Sequence, residues 1–155
     1  MMKNVIRVIA VLAFAAMLLP NLSPAQAMPM RPFHDGPVWE ITFVKMKAGL
    51  GLNYMNFLAS DWKKEQEALK QAGLILNYMV IETESHSPND FDLMLMVEFK
   101  DLATMEANQD KAEAVANQAL NSNDQKMIAG YQERASWREI IGERLARQIV
   151  LEPKK

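Results

Sequence analysis

The sequence contains no cysteine among its 155 residues. This absence excludes disulfides, thiolate metal sites and a catalytic thiol. A surplus of basic charge is also absent, because 19 Asp and Glu outnumber 17 Lys and Arg and the formal net charge is −2 at pH 7. A chain without a basic surplus cannot neutralise many phosphates, so nucleic acid is not expected as a partner. Glycine-rich phosphate loops, nucleophile elbows and paired-histidine helix motifs are missing as well.

The first 27 residues have the features of a secretory leader. Lys3 and Arg7 precede the nearly unbroken apolar run Val8–Leu19, and the small residues of Ala25-Gln26-Ala27 follow. The run is too short to span a membrane, so residues 1–27 are predicted to be a signal peptide rather than an uncleaved anchor. The mature chain would start at Met28 with a net charge of −4, because two of the basic residues leave with the leader. The sequence therefore predicts export to a periplasmic or extracellular location, with no membrane attachment after cleavage.

Residues 28–37 contain three of the seven prolines, at Pro29, Pro32 and Pro37. Proline at this density is typical of an extended segment outside a fold. We therefore predict an extended proline-rich tail over residues 28–37 and a single domain over residues 38–155.

Hydrophobic periodicity and turn residues divide the rest of the chain into seven elements. Gly73 is predicted to end the first helix, Asp101 to cap the second and Asp124 to cap the third. In the strand after the hairpin loop, one face is apolar and the other is rich in methionine, which predicts a central strand. The predicted elements are a strand at Val38–Lys45, a helix at Leu50–Gln71, hairpin arms at Gly73–Ile81 and Phe91–Phe99, helices at Leu102–Leu120 and Gln125–Ala135, and a strand at Arg144–Leu151.

The order of these elements predicts an α+β fold, a ferredoxin-like βαββααβ arrangement with a four-stranded antiparallel sheet. Local runs at Ile41–Lys45, Asp61–Glu65 and Asp92–Asp101 agree with this order. On these grounds the chain resembles the dimeric α+β barrel superfamily. The resemblance implies a homodimer that pairs sheet to sheet, and a small ligand held between sheet and helices.

Members of this superfamily include monooxygenases, cyclases, haem enzymes and uncharacterised exported proteins, so the resemblance does not assign a reaction. The haem-binding branch takes an axial histidine from a structured element. Here His34 belongs to the predicted tail and His86 to the hairpin loop. No cofactor is therefore predicted. A metal site at His86 with Glu82 and Glu84 is not predicted either, because one histidine with such neighbours is a weak ligand set.

The first long helix carries two carboxylates where apolar residues are expected. With a constant step of 100° per residue, Asp61 and Glu65 fall in the middle of the apolar face that begins at Tyr54. Carboxylates one helical turn apart repel each other and lose hydration when they are buried. A cation, a shared proton or a water-filled pocket is needed to compensate.

The third helix carries the complementary charges. Arg134 lies at the edge of its apolar side beside Tyr131, and Arg138 joins that side if the helix continues. Three interpretations remain open at this point. The groups form a buried ion cluster, or they form the polar end of a ligand pocket in which Glu65 or Asp61 acts as general acid or base. The third interpretation is that they are exposed groups at a helix end. The candidate catalytic residues are Asp61, Glu65, Tyr131, Arg134 and Arg138.

Aromatic and methionine side chains are predicted to line the apolar part of this pocket. They are Tyr54, Trp62, Tyr78, Met94 and Met96. The function predicted best is an exported protein that binds a small apolar or aromatic ligand. One alternative is a cofactor-independent enzyme similar to monooxygenases or cyclases. The other is a structural or interaction module whose own side chains fill the core.

Overall fold

In the computed structural model, which describes residues 31–84, 86–87 and 89–153, four strands alternate with helices. The elements are β1 (Phe33–Met46), α1 (Gly51–Phe57), a π-helical segment (Leu58–Trp62), α2 (Lys63–Gln71), β2 (Asn77–Glu82), β3 (Leu93–Phe99), α3 (Leu102–Ala107), α4 (Gln109–Leu120), α5 (Asp124–Trp137) and β4 (Arg138–Leu151). The predicted signal peptide lies outside the described residues. Across the described ranges, no helix is both long and apolar enough to cross a membrane.

The four strands form one sheet in the order β2-β3-β1-β4, and every neighbouring pair is antiparallel. β3 therefore lies between two partners, which confirms that it is a central strand. The first and last strands of the chain are adjacent, and the hairpin strands β2 and β3 fill the other half of the sheet. This order confirms the predicted ferredoxin-like α+β fold.

β1 is longer than the sequence predicted. It begins at Phe33, whose partner is Leu151 at the far end of β4. A bulge between Asp35 and Val38 accommodates Gly36 and Pro37, and a β-carbon at residue 36 would lie 3.2 Å from the Gln148 carbonyl oxygen. The prediction of a tail was therefore wrong for residues 33–37, because a bulge is one of the few places where a strand tolerates proline.

β4 also differs from its prediction, since it begins at Arg138 rather than at Arg144. It pairs with the whole of β1, from Met46 opposite Arg138 to Phe33 opposite Leu151. Most β4 side chains are exposed. A half-covered edge strand has little hydrophobic alternation, so the sequence did not show where it begins.

Two predicted helix boundaries are confirmed by their hydrogen bonds. Gly73 has a φ of +70°, and the Leu74 amide donates to the Leu69 carbonyl oxygen at 3.0 Å. This is the left-handed glycine cap that was predicted. Asp101 caps α3, because its carboxylate accepts a hydrogen bond of 2.6 Å from the Thr104 amide.

The second predicted helix is interrupted at Asn108, which separates α3 from α4. The Asn108 side-chain amide donates to the Thr104 carbonyl oxygen at 2.7 Å and competes there with the helical bond. The cap of α5 is Asn123 rather than Asp124, since its side-chain oxygen accepts from the Lys126 amide at 3.0 Å.

One face of the sheet packs against the helices. Its buried residues Val44, Leu93 and Leu95 form a cluster with Tyr54 and Leu58. A second buried cluster, formed by Leu69, Leu74 and Ile75, lies where α2 meets β2, β3 and α4. Because side chains alternate along a strand, the residues between those of the helix-covered face point to the opposite side. We call that side the open face; its apolar residues are Trp39, Ile41, Phe43, Met79, Ile81, Met94 and Met96.

Candidate functional site

A π-helical segment interrupts the long helix at Leu58–Trp62. The Ser60 hydroxyl donates to the Asn56 carbonyl oxygen at 2.7 Å, a local bond that disturbs regular helices. A π turn closes from residue i to i+5 and so holds more residues than an α turn. The side chains after Trp62 are therefore rotated backward about the helix axis, compared with a regular α-helix in which each residue advances by 100°.

This rotation corrects the predicted positions of the two carboxylates. Asp61 is exposed, and Glu65 is half-buried. Gln66 takes the position facing the sheet and is only 5% exposed. The sequence-based prediction that both carboxylates lie in the middle of the buried face was wrong for Asp61, which is exposed, whereas Glu65 is half-buried.

A groove of about 480 Å³ lies between the first long helix and helices α4 and α5. Four of the five candidate catalytic residues line it: Asp61, Glu65, Tyr131 and Arg134. Most of the remaining wall is apolar, so the groove combines apolar surface with acidic and basic groups. Its other lining residues are Phe57, Ala116, Asn117, Leu120, Ser122, Lys126, Met127, Ile128 and Gly130.

Arg138 reaches this region without a continuing helix. α5 ends at Trp137, and Arg138 is the first residue of β4, 8% exposed. Its guanidinium lies 5.6 Å from the centre of the Tyr54 ring and 5.4 Å from that of Tyr131. Arg138 is thus held between two aromatic rings, in cation–π geometry.

Arg134 contacts aromatic rings in the same way. Its guanidinium carbon lies 4.5 Å from the centre of the Phe57 ring and 6.0 Å from that of Tyr131. The described residues contain no ion pair within 4.0 Å that joins Asp61 or Glu65 to either arginine. The interpretation as a closed ion cluster therefore does not describe this arrangement.

Burial changes the proton affinities of these groups. It raises the pKa of the Glu65 carboxyl above its usual 4.5, although the positive charge of Arg134 acts in the opposite direction. Burial likewise lowers the pKa of the Arg134 guanidinium, and the charge of Arg138 lowers it further. The pKa of Tyr54 is raised by burial against the opposing effect of Arg138. Glu65 is thus the carboxyl of the groove whose protonated form is favoured by its surroundings.

A second space, a cleft of about 220 Å³, lies between the sheet and the first long helix. Glu65 lines this cleft as well as the groove. Glu40 and Thr42 enter it from the helix-covered face of β1. Gln66 enters it from α2, and its buried side-chain oxygen has no hydrogen-bond partner. The apolar part of the cleft is formed by Trp62, Leu69, Leu95, Val97 and Phe99.

The sequence interpretation missed Glu40 and Gln66. A signal for Glu40 existed, since it shares a strand face with Val38 and Val44, both of which are buried. Burial, and the negative charge of Glu143 on β4, raise the pKa of the Glu40 carboxyl. For Gln66 no signal existed, because its burial depends on the π turn.

Three of the predicted ligand-binding residues lie on the helix-covered side. Tyr54 is a core residue, 1% exposed. Trp62 lines the cleft and meets Tyr78 edge to face, with ring centres 5.4 Å apart. The Tyr78 hydroxyl donates to a Glu67 carboxylate oxygen at 2.5 Å, and this bond raises the pKa of Tyr78 to about 12.

The other two predicted ligand-binding residues, Met94 and Met96, lie on the open face. Met94 pairs with Phe43 and Met96 with Ile41, while their neighbours Leu93 and Leu95 pack under the helices. They cannot line a space between sheet and helices, so this prediction was wrong. The sequence showed that the strand has two apolar faces but not which of them the helices cover.

The two histidines are exposed and far from the groove along the chain. His34 lies in β1, with its Nδ1 atom 3.2 Å from the Asp35 carbonyl oxygen. His86 lies in the loop between β2 and β3, where its amide donates to Asp90. Within the described ranges, no three histidine or carboxylate side chains are grouped closely enough to hold a metal ion.

Comparisons with known proteins give matches only at the level of structure. No protein-family model matches the chain, and no curated protein sequence matches it. Among solved structures, the chain is similar to HapK from Hahella chejuensis, with 10% identity, coverage of 72% of this chain and 91% of HapK, and a TM-score of 0.45.

Two further structures are similar to the chain. A NipSnap family protein of unknown function from Agrobacterium tumefaciens has 12% identity, coverage of 77% of this chain and 92% of its own, and a TM-score of 0.46. A dimeric protein of unknown function with a ferredoxin-like fold, from Bacteroides fragilis, has 16% identity, coverage of 77% and 98%, and a TM-score of 0.39. The chemistry of this chain must therefore be argued from its own residues.

Proposed function

We propose that this chain is a small-molecule-binding protein whose ligand lies in the groove between the first long helix, α4 and α5. The observation that carries the proposal is the groove itself, about 480 Å³ in volume. That volume lies within the usual range for small-molecule sites, which are mostly apolar with a few convergent polar groups. Here they include the charged groups of Asp61, Glu65 and Arg134, and among the described residues no ion pair within 4.0 Å joins these carboxylates to Arg134.

The aromatic residues around the groove suit an apolar or aromatic ligand. Phe57 and Tyr131 line the groove and stack with Arg134, so a planar ring could join the same arrangement. A purely structural module would be expected to fill this space with its own side chains. The open groove thus supports a binding role over a structural one.

Native mass spectrometry of protein purified from its own host tests this proposal by detecting a retained ligand. Ala116, on α4, lines the groove, so Ala116→Trp should fill it and abolish retention. Ala114→Trp, on the exposed side of the same helix, is the matched control and should retain the ligand. Equal retention in both variants would contradict a ligand site in the groove.

We also propose that the chain forms a homodimer through the open face of the sheet. Seven large apolar side chains lie there, and Ile81 is 37% exposed. Polar residues of both signs border them, with Lys45 opposite Glu139 at one end and Glu98 beside Trp39 at the other. A face with mixed charges around an apolar centre suits self-association about a two-fold axis.

Export remains our proposal for the location of the protein, supported by the leader-like residues 1–27. The intact mass of protein recovered from the periplasm or medium should correspond to a chain that starts at Met28. A full-length mass in the membrane fraction would contradict cleavage.

A further inference from the structure

Gln66, which lines the cleft beneath the first long helix, carries a buried hydrogen-bond acceptor that has no partner among the described residues. Gln66 is 5% exposed, and its side-chain oxygen is buried with no partner. A buried polar atom without a partner costs free energy, so such an atom in a folded protein requires an explanation. A ligand group that donates to it would supply one.

The other polar groups of the cleft point to the same chemistry. The Glu40 and Glu65 carboxyls line it from opposite sides, one on the sheet and one on α2. Glu143 adds negative charge on the same side of the sheet, where it is paired with Thr42. On the helical side, the positive charge of Arg134 interacts favourably with the Glu65 carboxylate. The part of the cleft near Glu40 therefore has an excess of negative charge.

We propose that the cleft is the subsite that selects a ligand carrying a protonated primary amine. An ammonium group has three donors and no acceptor, and the cleft is lined by Glu40, Glu65 and Gln66, whose side chains all carry acceptor oxygens. The ring of Trp62, which lines the cleft, offers a surface for a cation or an aromatic ring.

The rest of the cleft suits the apolar body of such a ligand rather than a metal ion. Leu69, Leu95 and Val97 line it, whereas Ca²⁺ requires six to eight oxygen ligands. The volume of about 220 Å³ is below that of most drug-sized sites, so the bound group is small. This inference rests on the proposed function, since it treats the cleft as the part of the ligand site that binds the polar end of the ligand.

Isothermal titration calorimetry with three probes of one shape tests the inference. The probes are 2-phenylethylamine, 2-phenylethanol and 3-phenylpropionate. The amine should bind about tenfold more tightly than the alcohol, because charge-assisted hydrogen bonds exceed neutral ones by that order. The carboxylate should bind most weakly, because Glu40 and Glu65 repel it.

Two variants connect the preference to the cleft. Glu40→Gln and Gln66→Leu should each weaken amine binding about tenfold and change alcohol binding much less. Gln66→Leu removes an unpartnered oxygen, so its thermal midpoint should not fall. Glu113→Gln and Gln71→Leu, both at exposed helical positions, are the matched controls and should keep the amine preference.

The possible failures are distinguishable. If the alcohol binds as tightly as the amine, the inference is overturned and the proposed function stands. If both Glu40→Gln and Gln66→Leu keep the preference for the amine, the inference that the cleft binds the amine is overturned. If no probe binds and the host-purified protein retains no ligand, both the inference and the proposed function fail.

Discussion

Glu65 occupies a special position in this chain, because its side chain lines both the groove and the cleft. It is half-buried and has no ion-pair partner within 4.0 Å among the described residues. Its charge is therefore stabilised less than that of a solvated or paired carboxylate. A carboxyl in this state can gain or lose a proton when a ligand binds, so the protonation of Glu65 depends on whether the site is occupied.

Glu65 makes the folded state sensitive to pH in a definite direction. Its folded pKa is raised above the ordinary 4.5, so its contribution to stability is fully present below pH 4.5 and is lost as the pH rises through the folded value. Glu65→Gln imitates the protonated form. The variant should equal the wild type in unfolding free energy at acidic pH and exceed it at pH 7.

Urea unfolding of both proteins across this pH range checks the prediction. Glu113→Gln, exposed on α4, serves as the control for the loss of one negative charge. If Glu65→Gln were less stable than the wild type at pH 7, the Glu65 carboxylate would have a favourable partner that this arrangement lacks.

At the scale of the elements, two of the three residues that were predicted to end or cap a helix do so. Gly73 ends α2 with a positive φ, and Asp101 caps α3. The misplaced boundaries depend on side chains that act on the backbone locally. Asn108 interrupts a predicted helix, and Ser60 bonds back to Asn56 where the π segment forms. Asparagine and serine occur in both regular and irregular helices, so their presence alone does not locate a break.

Gly73→Ala should lower the unfolding free energy by about 1 kcal/mol, because alanine is strained at positive φ. The φ of Gly73 is +70°, and a β-carbon there would meet no atom within 4 Å. The cost is therefore due to the backbone alone. Gly73→Asn should cost less, since asparagine adopts this conformation more readily.

Chemical denaturation measures this difference, and Gly51→Ala is the control. Gly51 opens α1, has no positive φ, and its added β-carbon would lie 3.4 Å from the Met46 sulfur, an ordinary contact. Equal losses in the Gly73 and Gly51 variants would show that the conformation at Gly73 is not the cause.

For the whole molecule, the two faces of the sheet have different roles. The helices cover the face with Leu93 and Leu95, and the methionines Met94 and Met96 lie on the other. Contiguous apolar surface of this kind usually marks an interaction site. A second copy on the open face would also leave the groove and the cleft on the outer, helical side of each protomer.

Met96→Lys should dissociate the proposed dimer into monomers. Met96 lies at the centre of the open face, paired with Ile41 on one side and Met79 on the other, so a charge there would be buried without a partner. Val80→Lys introduces the same charge on the same sheet but on the helix-covered face, at an edge position that is 37% exposed.

Light scattering at micromolar concentration gives the mass of each protein. We expect the mass of a dimer for the wild type and for Val80→Lys, and the mass of a monomer for Met96→Lys. A monomer mass for the wild type would contradict the sheet-to-sheet dimer, and the open face would then require a different partner.

The sequence by itself determined the order of the elements, the central place of β3, the caps at Gly73 and Asp101, and the presence of carboxylates on the first long helix and of Arg134 on the last. These features depend on local hydrophobic periodicity and on the backbone preferences of single residues, and both can be recognised in the amino-acid sequence. The tertiary structure alone decided that β1 and β4, each fourteen residues long, pair from end to end, that a π turn moves Gln66 to the interior, and that Met94 and Met96 face away from the helices. Such outcomes depend on how distant segments pack, because two apolar faces of one strand are equivalent until the helices cover one of them.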